Sequence, residues 1–249
     1  MLKDIKKAMA KKMTEASYIP AFNYSDEYNV DRLIKLREEL NKQYANEIKF
    51  SFMPFIIKAV SNSLKEYPEL NSVVSEEKDQ NGIMKEYTIK SAHNISIAID
   101  SKNGLVVPNI KNVQEKGVKE IQLELFNLIE KAKIDKLSTE DYSDGTFSIS
   151  NIGNIGGKQL GPVLLPPQVC IIGISRMIDT IKVVNKNDFD EINSSQFNLI
   201  QGKQDIGIVF HKSINFCITA DHRVLDGAYV ARFSQHLRNQ IENPIKILI

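Results

Sequence analysis

The stretch Thr219–Val230, TADHRVLDGAYV, crowds four charged or titratable side chains into six positions, directly after an apolar alternating run. His222 lies between Asp221 and Arg223, and Asp226 follows four residues after the histidine. A strand that ends where a helix begins is typical of α/β folds, and it would project His222 from the rim of a sheet. An imidazole can accept a proton at neutral pH, so His222 is a candidate base. The alternative, which residue type alone favours, is a partly exposed turn histidine.

The neighbours of this histidine leave two further questions open. Asp226 falls where the last helix should begin, so it either caps that helix or holds the turn that aims His222. Gly227 would allow a tight turn at this point. Arg223 can pair with either Asp221 or Asp226.

A second polar segment, FSISNIGNIGGKQLGP, covers residues 147–162 and follows a predicted strand. Ser150 and Asn151 end that strand and precede a glycine-rich loop, which is either merely flexible or able to approach a ligand closely. The glycine spacing fits neither a dinucleotide fingerprint nor a P-loop. No G-x-S-x-G elbow occurs, and no Cys/His spacing suits a metal, so we expect no metal site.

Periodicity places these motifs in an alternation of helices and strands. Helical spacing of apolar residues is found over 31–45, within 51–68, over 117–132 and from near Asp226 onward. Strand-like alternation occurs over 94–100, 103–110, 145–151, 169–176 and 213–220. Asn103-Gly104 predicts a hairpin turn. The order predicts an α/β sandwich with one mixed sheet, and the polar segment 185–205 predicts an extended hairpin loop.

Composition restricts the function classes. The chain has 249 residues, 42% hydrophobic and 25% charged, with a net charge of +1. Those values predict an ordinary globular protein and give no case for nucleic-acid binding. No apolar run is long enough to span a bilayer. Cys170 and Cys217 lie in apolar runs and predict buried free thiols rather than a disulfide.

Four motifs, taken together and in order, resemble the catalytic domain of dihydrolipoamide acyltransferases, the core components of 2-oxo acid dehydrogenase complexes. They are SFMPFIIKA, GLVVPNIKN, FSISNIGNIGG and DHRVLDG. The resemblance runs over nearly the whole chain, from KKAMAKKM to ENPIKILI, and is nearest to the branched-chain type. It implies one acyltransferase domain over 1–249, with a chloramphenicol acetyltransferase-like two-layer sandwich of a mixed sheet and packed helices. Lipoyl and peripheral-subunit-binding domains would lie upstream.

The resemblance also implies a reaction and roles for three residues. An acyl group moves between the thiols of dihydrolipoamide and coenzyme A, with His222 as the base that activates the thiol. Ser150 would stabilise the oxyanion, reaching the histidine across a subunit boundary. Asp226 matches a structural acid. Many relatives have an arginine pair where this chain has Lys6 and Lys7, which leaves the partner of Asp226 in doubt.

Coenzyme A is the implied substrate, and the resemblance places its contacts at seven residues. These are Arg37, Ser51, Asp100, Ser150, Asn151, Ser175 and Met177. A guanidinium fork suits a phosphate, although Arg37 on sequence alone is an exposed helix arginine beside two glutamates.

Partners and location follow from the same resemblance. We expect a homotrimer that assembles further, to 24 subunits, and works with lipoyl, decarboxylase and dihydrolipoamide dehydrogenase components. The expected location is the mitochondrial matrix in a eukaryote and the cytoplasm in a bacterium. Alternatives are an acetyl- or succinyl-transferring core and a non-catalytic scaffold. The presence of both His222 and Ser150 favours the enzyme over the scaffold.

Overall fold

The structure, a computed structural model, describes residues 4–75, 77, 79–185, 197–199 and 206–248. Its helices are α1 Asp4–Ser17, α2 Asp31–Gln43, α3 Met53–Glu66, α4 Val118–Lys133, α5 Thr139–Tyr142 and α6 Gly227–Glu242. The four helices predicted from apolar spacing are confirmed as α2, α3, α4 and α6. The basic N-terminal segment is helical too, and most of α1 is exposed.

In the described ranges, twelve strands form one large sheet and two small ones. They are β1 Ala21–Asn29, β2 Ser72–Val74, β3 Tyr87–Ile89, β4 Ile95–Ile97, β5 Ile99–Ser101, β6 Gly104–Val106, β7 Asn109–Ile110, β8 Phe147–Asn151, β9 Cys170–Ile174, β10 Ile178–Asn185, β11 Phe197–Leu199 and β12 Ile206–Asp221. The large sheet has the order β1-β12-β9-β8-β4-β7, and β10 and β11 also pair with β12. Because β4, β8 and β9 run parallel and the other pairs are antiparallel, the predicted mixed sheet is confirmed.

Strand β12 is the longest element of the sheet and connects its two halves. Its 16 residues pair with β10 over the first half and with β1 and β9 over the second. The predicted inward alternation is present, since Ile214, Phe216 and Ile218 are buried. The opposite face is buried as well, because the loop 152–167 crosses it and the Thr219 hydroxyl donates to the Pro162 carbonyl at 2.7 Å.

A helical layer covers the face of the sheet to which Ile214, Phe216 and Ile218 point. Helix α3 packs against α4 and α6, and α6 also packs against β1. The Tyr28 ring stacks on Phe216 at 4.4 Å, and its hydroxyl bonds to Ser234 of α6. These contacts join the helical layer to the strand that leads to His222.

Three smaller predictions can be compared with the structure. The hairpin β5–β6 forms, but Ser101 pairs with Gly104, so the turn residues are Lys102 and Asn103 rather than Asn103 and Gly104. Gly104 has φ of 126°, a conformation that other residues rarely adopt, which explains the glycine. In the segment 185–205, Phe197–Leu199 forms a strand on β12. Residues 186–196 and 200–205 lie outside the described residues.

Both cysteines are buried and unpaired, as predicted. Burial raises the pKa of the Cys170 thiol far above its usual range. No helix within the described ranges is long and apolar enough to cross a membrane.

Candidate active site

His222 lies directly after the last residue of β12, at the rim of the sheet. Its backbone N–H donates to the Pro20 carbonyl at 2.9 Å, which continues the pairing of β12 with β1. The imidazole is exposed, and it makes no hydrogen bond to any residue that the structure describes. Its recorded ring neighbour is Phe22, with centroids 4.6 Å apart and the planes tilted by 51°. Neither ring nitrogen therefore has a hydrogen-bond partner among the described residues.

The residues on either side of His222 form an ion pair. Arg223 donates through Nε and Nη2 to the carboxylate of Asp221, at 2.9 and 2.6 Å. Asp221 is completely buried, and this hydrogen bonding raises the pKa of the Arg223 guanidinium. The partner of Arg223, which the sequence left open, is Asp221 and not Asp226.

Asp226 caps α6. Its backbone is extended, and its carboxylate accepts the Tyr229 N–H at 2.7 Å. Of the two roles that the sequence left open for Asp226, the structure shows the cap. The carboxylate faces the start of the helix that follows the histidine, so its position fixes the turn between β12 and α6.

Ser150 and Asn151 are the last two residues of β8, and they lie at the opposite end of the sheet from His222. The Ser150 side chain is half-buried, and its hydroxyl makes no hydrogen bond within the described part of the chain. Asn151 is held from two sides, by the Gly153 N–H at 2.7 Å and by the Met53 sulfur at 3.1 Å. A Cβ at Gly153 would lie 2.8 Å from the Ser175 carbonyl oxygen, so the loop needs glycine there.

Several of the predicted coenzyme A residues adjoin this end of β8. Arg37 stacks over the Phe52 ring at 4.3 Å, and its buried Nε has no hydrogen-bond partner in the described residues. The Ser51 hydroxyl and N–H both donate to the Gln122 side-chain oxygen. Since Phe52 precedes Met53, which contacts Asn151, a chain of contacts links Arg37 to the end of β8.

The remaining predicted contacts lie nearby but differ in accessibility. Asp100 is exposed on β5, just beyond the strand that pairs with β8. Met177 is half-buried after β9. Ser175 is 2% exposed, and its hydroxyl is engaged with the backbone of Asn215. Its hydroxyl is thus already committed to holding β9 against β12.

A single chain does not bring Ser150 and His222 together. Ser150 pairs with Gly173, and Gly173 pairs with Cys217, so these three residues form one row across the sheet. His222 lies five residues beyond Cys217 along β12. At the usual rise of a strand this is about 17 Å along the strand direction, which is too far for both side chains to touch one thioester.

Sequence reasoning missed two neighbours of these residues. Phe22 was not singled out, and neither was Gln122, which accepts from Ser51. Both contacts join elements distant in the chain, β1 with the end of β12 and α4 with the start of α3, so local spacing carried no signal for them.

Comparison with known proteins places this arrangement in a family. The model of the 2-oxoacid dehydrogenases acyltransferase (catalytic domain) family matches residues 1–249. The chain belongs to this family. The resemblance to these acyltransferases, inferred above from four sequence motifs, is thereby confirmed.

The relatives of this chain are named as components of two different dehydrogenase complexes. The chain is 45% identical over 97% of its length to the Caenorhabditis elegans mitochondrial lipoamide acyltransferase component of the branched-chain alpha-keto acid dehydrogenase complex, and 41% identical over its full length to the Bos taurus protein of that name. It is 34% identical over 99% of its length to the Rickettsia prowazekii acetyltransferase component of the pyruvate dehydrogenase complex. The chain spans about half the length of these relatives, covering 49%, 46% and 54% of them.

Solved structures confirm the fold of the acyltransferase domain. A probable dihydrolipoamide acetyltransferase from Listeria monocytogenes aligns over 98% of this chain and 93% of its own, with a TM-score of 0.81 and 28% identity. Chloramphenicol acetyltransferase aligns over 100% and 99%, with a TM-score of 0.52 and 12% identity. The second likeness concerns the fold alone, and it agrees with the predicted two-layer sandwich.

Proposed function

We propose that this domain transfers a branched-chain acyl group between dihydrolipoamide and coenzyme A, with His222 as the general base. The observation that carries the proposal is the exposed, unbonded imidazole at the end of β12, in a chain of this acyltransferase family. A thiol is a poor nucleophile and its thiolate a good one, so a base within reach of the thiol is what the reaction needs.

The step balances with His222 as the only proton carrier. The imidazole takes the proton from the attacking thiol, and the sulfur forms a bond to the thioester carbonyl carbon. The tetrahedral intermediate then breaks its bond to the other sulfur, which leaves with the proton from His222. Because both sulfurs are alike, the same residue serves both directions.

Ser150 is the proposed donor to the oxyanion of that intermediate. Its hydroxyl is half-buried at a strand end and bonds to no described residue, so it is free to donate to a ligand. One such donor typically contributes about 3 kcal/mol to transition-state stabilisation.

The two halves of this site must come from two copies of the chain. In one copy the strand rise separates Ser150 from His222 by about 17 Å, so a second copy has to supply the missing half. We propose the trimer that the resemblance implies, and its further assembly to 24 subunits.

The hairpin of β10 with the first half of β12 offers the second copy a surface. Ile181 pairs with Phe210 and Val183 with Ile208, so these side chains share one face. Ile181, Val183 and Phe210 are 61%, 62% and 49% exposed. Contiguous apolar side chains of this kind mark interaction surfaces, and the hairpin continues from the end of the sheet that carries Ser150.

Coenzyme A is proposed to bind along the surface from Arg37 to Asn151. The unpaired, buried Nε of Arg37 fits a phosphate oxygen, which would accept a charge-assisted hydrogen bond there. Ser51, Asp100 and Met177 border the same end of the sheet. Ser175 joins this set only by exchanging its bonds to Asn215 for bonds to the ligand.

The branched-chain substrate is favoured over the alternatives by the relatives. Identity is 45% to a branched-chain component and 34% to a pyruvate dehydrogenase component. An acetyl- or succinyl-transferring core remains the second candidate. A scaffold without catalysis is disfavoured because an exposed histidine and a free serine hydroxyl are both present.

The proposed partners act through groups outside this domain. A lipoyl group on a separate domain would deliver the acyl group, and decarboxylase and dihydrolipoamide dehydrogenase components would load and reoxidise it. The proposed location is the mitochondrial matrix in a eukaryote and the cytoplasm in a bacterium.

The test compares isobutyryl-, isovaleryl-, acetyl- and succinyl-coenzyme A as donors to dihydrolipoamide, with wild-type protein and His222→Ala. We expect the two branched donors to be fastest, and the variant to lose at least about a hundredfold in rate. His236→Asn is the matched control, since His236 lies within α6 and an amide there can keep the hydrogen bond to Ser63 of α3. Near-normal turnover by His222→Ala would exclude His222 as the base. A preference for acetyl- or succinyl-coenzyme A would contradict the branched-chain substrate and favour the acetyl- or succinyl-transferring alternative.

A further inference from the structure

Among the residues that the structure describes, the His222 ring has no polar contact that would fix its orientation. No described residue donates a hydrogen bond to the imidazole or accepts one from it. A base must nevertheless point one nitrogen at the thiol, and an exposed side chain ordinarily exchanges between rotamers. Within the described part of the chain, the ring is therefore held by packing alone.

Phe22 supplies that packing. The two rings have centroids 4.6 Å apart with a tilt of 51°, which is within the favourable range for aromatic pairs. Phe22 is itself half-buried and packs against the hydrophobic core, so its ring is not free to follow the histidine.

The backbone holds both partners of this contact in fixed register. Phe22 pairs with Ala220 across β1 and β12, and the Pro20 carbonyl accepts the His222 N–H at 2.9 Å. Pro20 therefore holds the main chain of His222, and Phe22 contacts its ring. A shift of His222 relative to Phe22 would require the end of the strand pair to open.

We propose that Phe22 is a positioning residue for the acyl transfer, whose ring restricts the imidazole of His222 to the rotamer that faces the thiol. The inference rests on the proposed role of His222. It predicts an effect on turnover and not on coenzyme A affinity, because Phe22 is not among the residues proposed to bind coenzyme A.

The experiment measures kcat and KM for Phe22→Leu and Phe22→Tyr in the full chain, with the best acyl-coenzyme A donor and dihydrolipoamide. We expect Phe22→Leu to lower kcat about tenfold, because a misplaced base is costly even when binding is intact. KM for the coenzyme A thioester should change by less than about twofold, since the substitution removes no contact that binds the ground state and the transition state equally. Phe22→Tyr keeps the ring face and should recover most of the lost turnover.

Tyr24→Leu is the matched control, because Tyr24 is half-buried on the same side of β1, two residues along, and packs against the core. It should keep the wild-type kcat. Thermal unfolding and the oligomeric state are measured for every variant, and kcat is expressed per assembled subunit.

Three results would overturn the inference. One is a wild-type kcat for Phe22→Leu. Another is a loss that disappears after correction for assembled protein, which would make Phe22 merely structural. The third is an altered ranking of acyl donors at unchanged kcat for the best one, which would make Phe22 a wall of the acyl pocket. Failure of the proposed function is distinguishable, since it would appear in the wild type or in His222→Ala and not in the Phe22 variants alone.

Discussion

Arg223 forms a forked ion pair with Asp221, one residue on each side of His222, and the carboxylate of Asp221 has no exposure to solvent. The carboxylate also accepts the Arg223 N–H at 3.0 Å, so side chain and main chain are fixed together. A buried charge is tolerated when it is paired in this way and costly when it is not.

Arg223→Gln should therefore destabilise the fold. Breaking a buried pair leaves an uncompensated charge, and because Arg223 is partly exposed we expect a loss of about 2 to 3 kcal/mol, below the full cost of such a break. Urea unfolding at fixed chain concentration measures it. Arg223→Lys is the control that keeps the charge and loses the fork, with an intermediate loss. Equal stability of Arg223→Gln and wild type would show that the pair contributes nothing.

Mixing two inactive variants tests the shared site. Ser150→Ala and His222→Ala each remove one half of the proposed site, and the two halves lie far apart in a single chain. Trimers assembled from both variants should regain part of the wild-type activity, because some sites contain both residues. Trimers of either variant alone are the control. No recovery in mixed trimers, verified by mass, would contradict a site shared between copies.

The apolar hairpin face gives a prediction about assembly. Ile181→Lys with Val183→Lys places two charges among side chains that a second copy is proposed to cover, and burying unpaired charges opposes association. Light scattering should show monomers, and acyl transfer should be lost with the trimer. Leu123→Lys on α4 is the matched control, since Leu123 is also an exposed apolar residue, at 53%, but lies on a helix. Intact trimers of the double variant would remove this face from the interface.

His93 predicts how stability depends on pH. Burial and the nearby charges of Lys65 and Lys58 lower the pKa of His93 to about 4, below its ordinary value of 6.5. The unfolded chain therefore binds the proton first as the pH falls, so this contribution to stability is present above pH 6.5 and is lost on acidification toward pH 4. From pH 7 to pH 5 the loss should be about 2 kcal/mol.

The measurement compares urea unfolding of the wild type with that of His93→Asn at the two pH values. An asparagine keeps a polar group near Ser61, whose hydroxyl lies 2.8 Å from Nδ1 of His93, and does not titrate. The variant should lose less stability than the wild type over this range. Parallel losses would assign the pH dependence to other groups.

Local patterns predicted the elements well and the contacts between them poorly. The spacing of apolar residues gave α2, α3, α4 and α6 to within a few residues, because each helix has one face on the core. The alternation around Phe216 predicted one buried face of β12. It did not reveal that the loop 152–167 buries the other face, since loop packing leaves no period in the strand that it covers.

The site shows the same division. The motif at Asp221–Gly227 predicted a histidine at the rim of the sheet and, as one of two alternatives, the cap by Asp226. Both features are encoded within a few residues, and both are present. The partner of Arg223 stayed ambiguous, because two carboxylates lie at similar distances in sequence and only burial separates them. The contact of Phe22 with His222 could not be predicted, because it depends on the register of β1 against β12.

Strand β12 also sets a fixed length within the molecule. It joins the hairpin face at one end to His222 at the other, and the row through Cys217 marks the level of Ser150 between them. Because side chains alternate, removing two residues between Cys217 and His222 would draw the imidazole inward by about 7 Å without turning it to the wrong side. In the proposed shared site the ring would then no longer meet the neighbour's hydroxyl, so that proposal ties the length of this one strand to the geometry of the assembly.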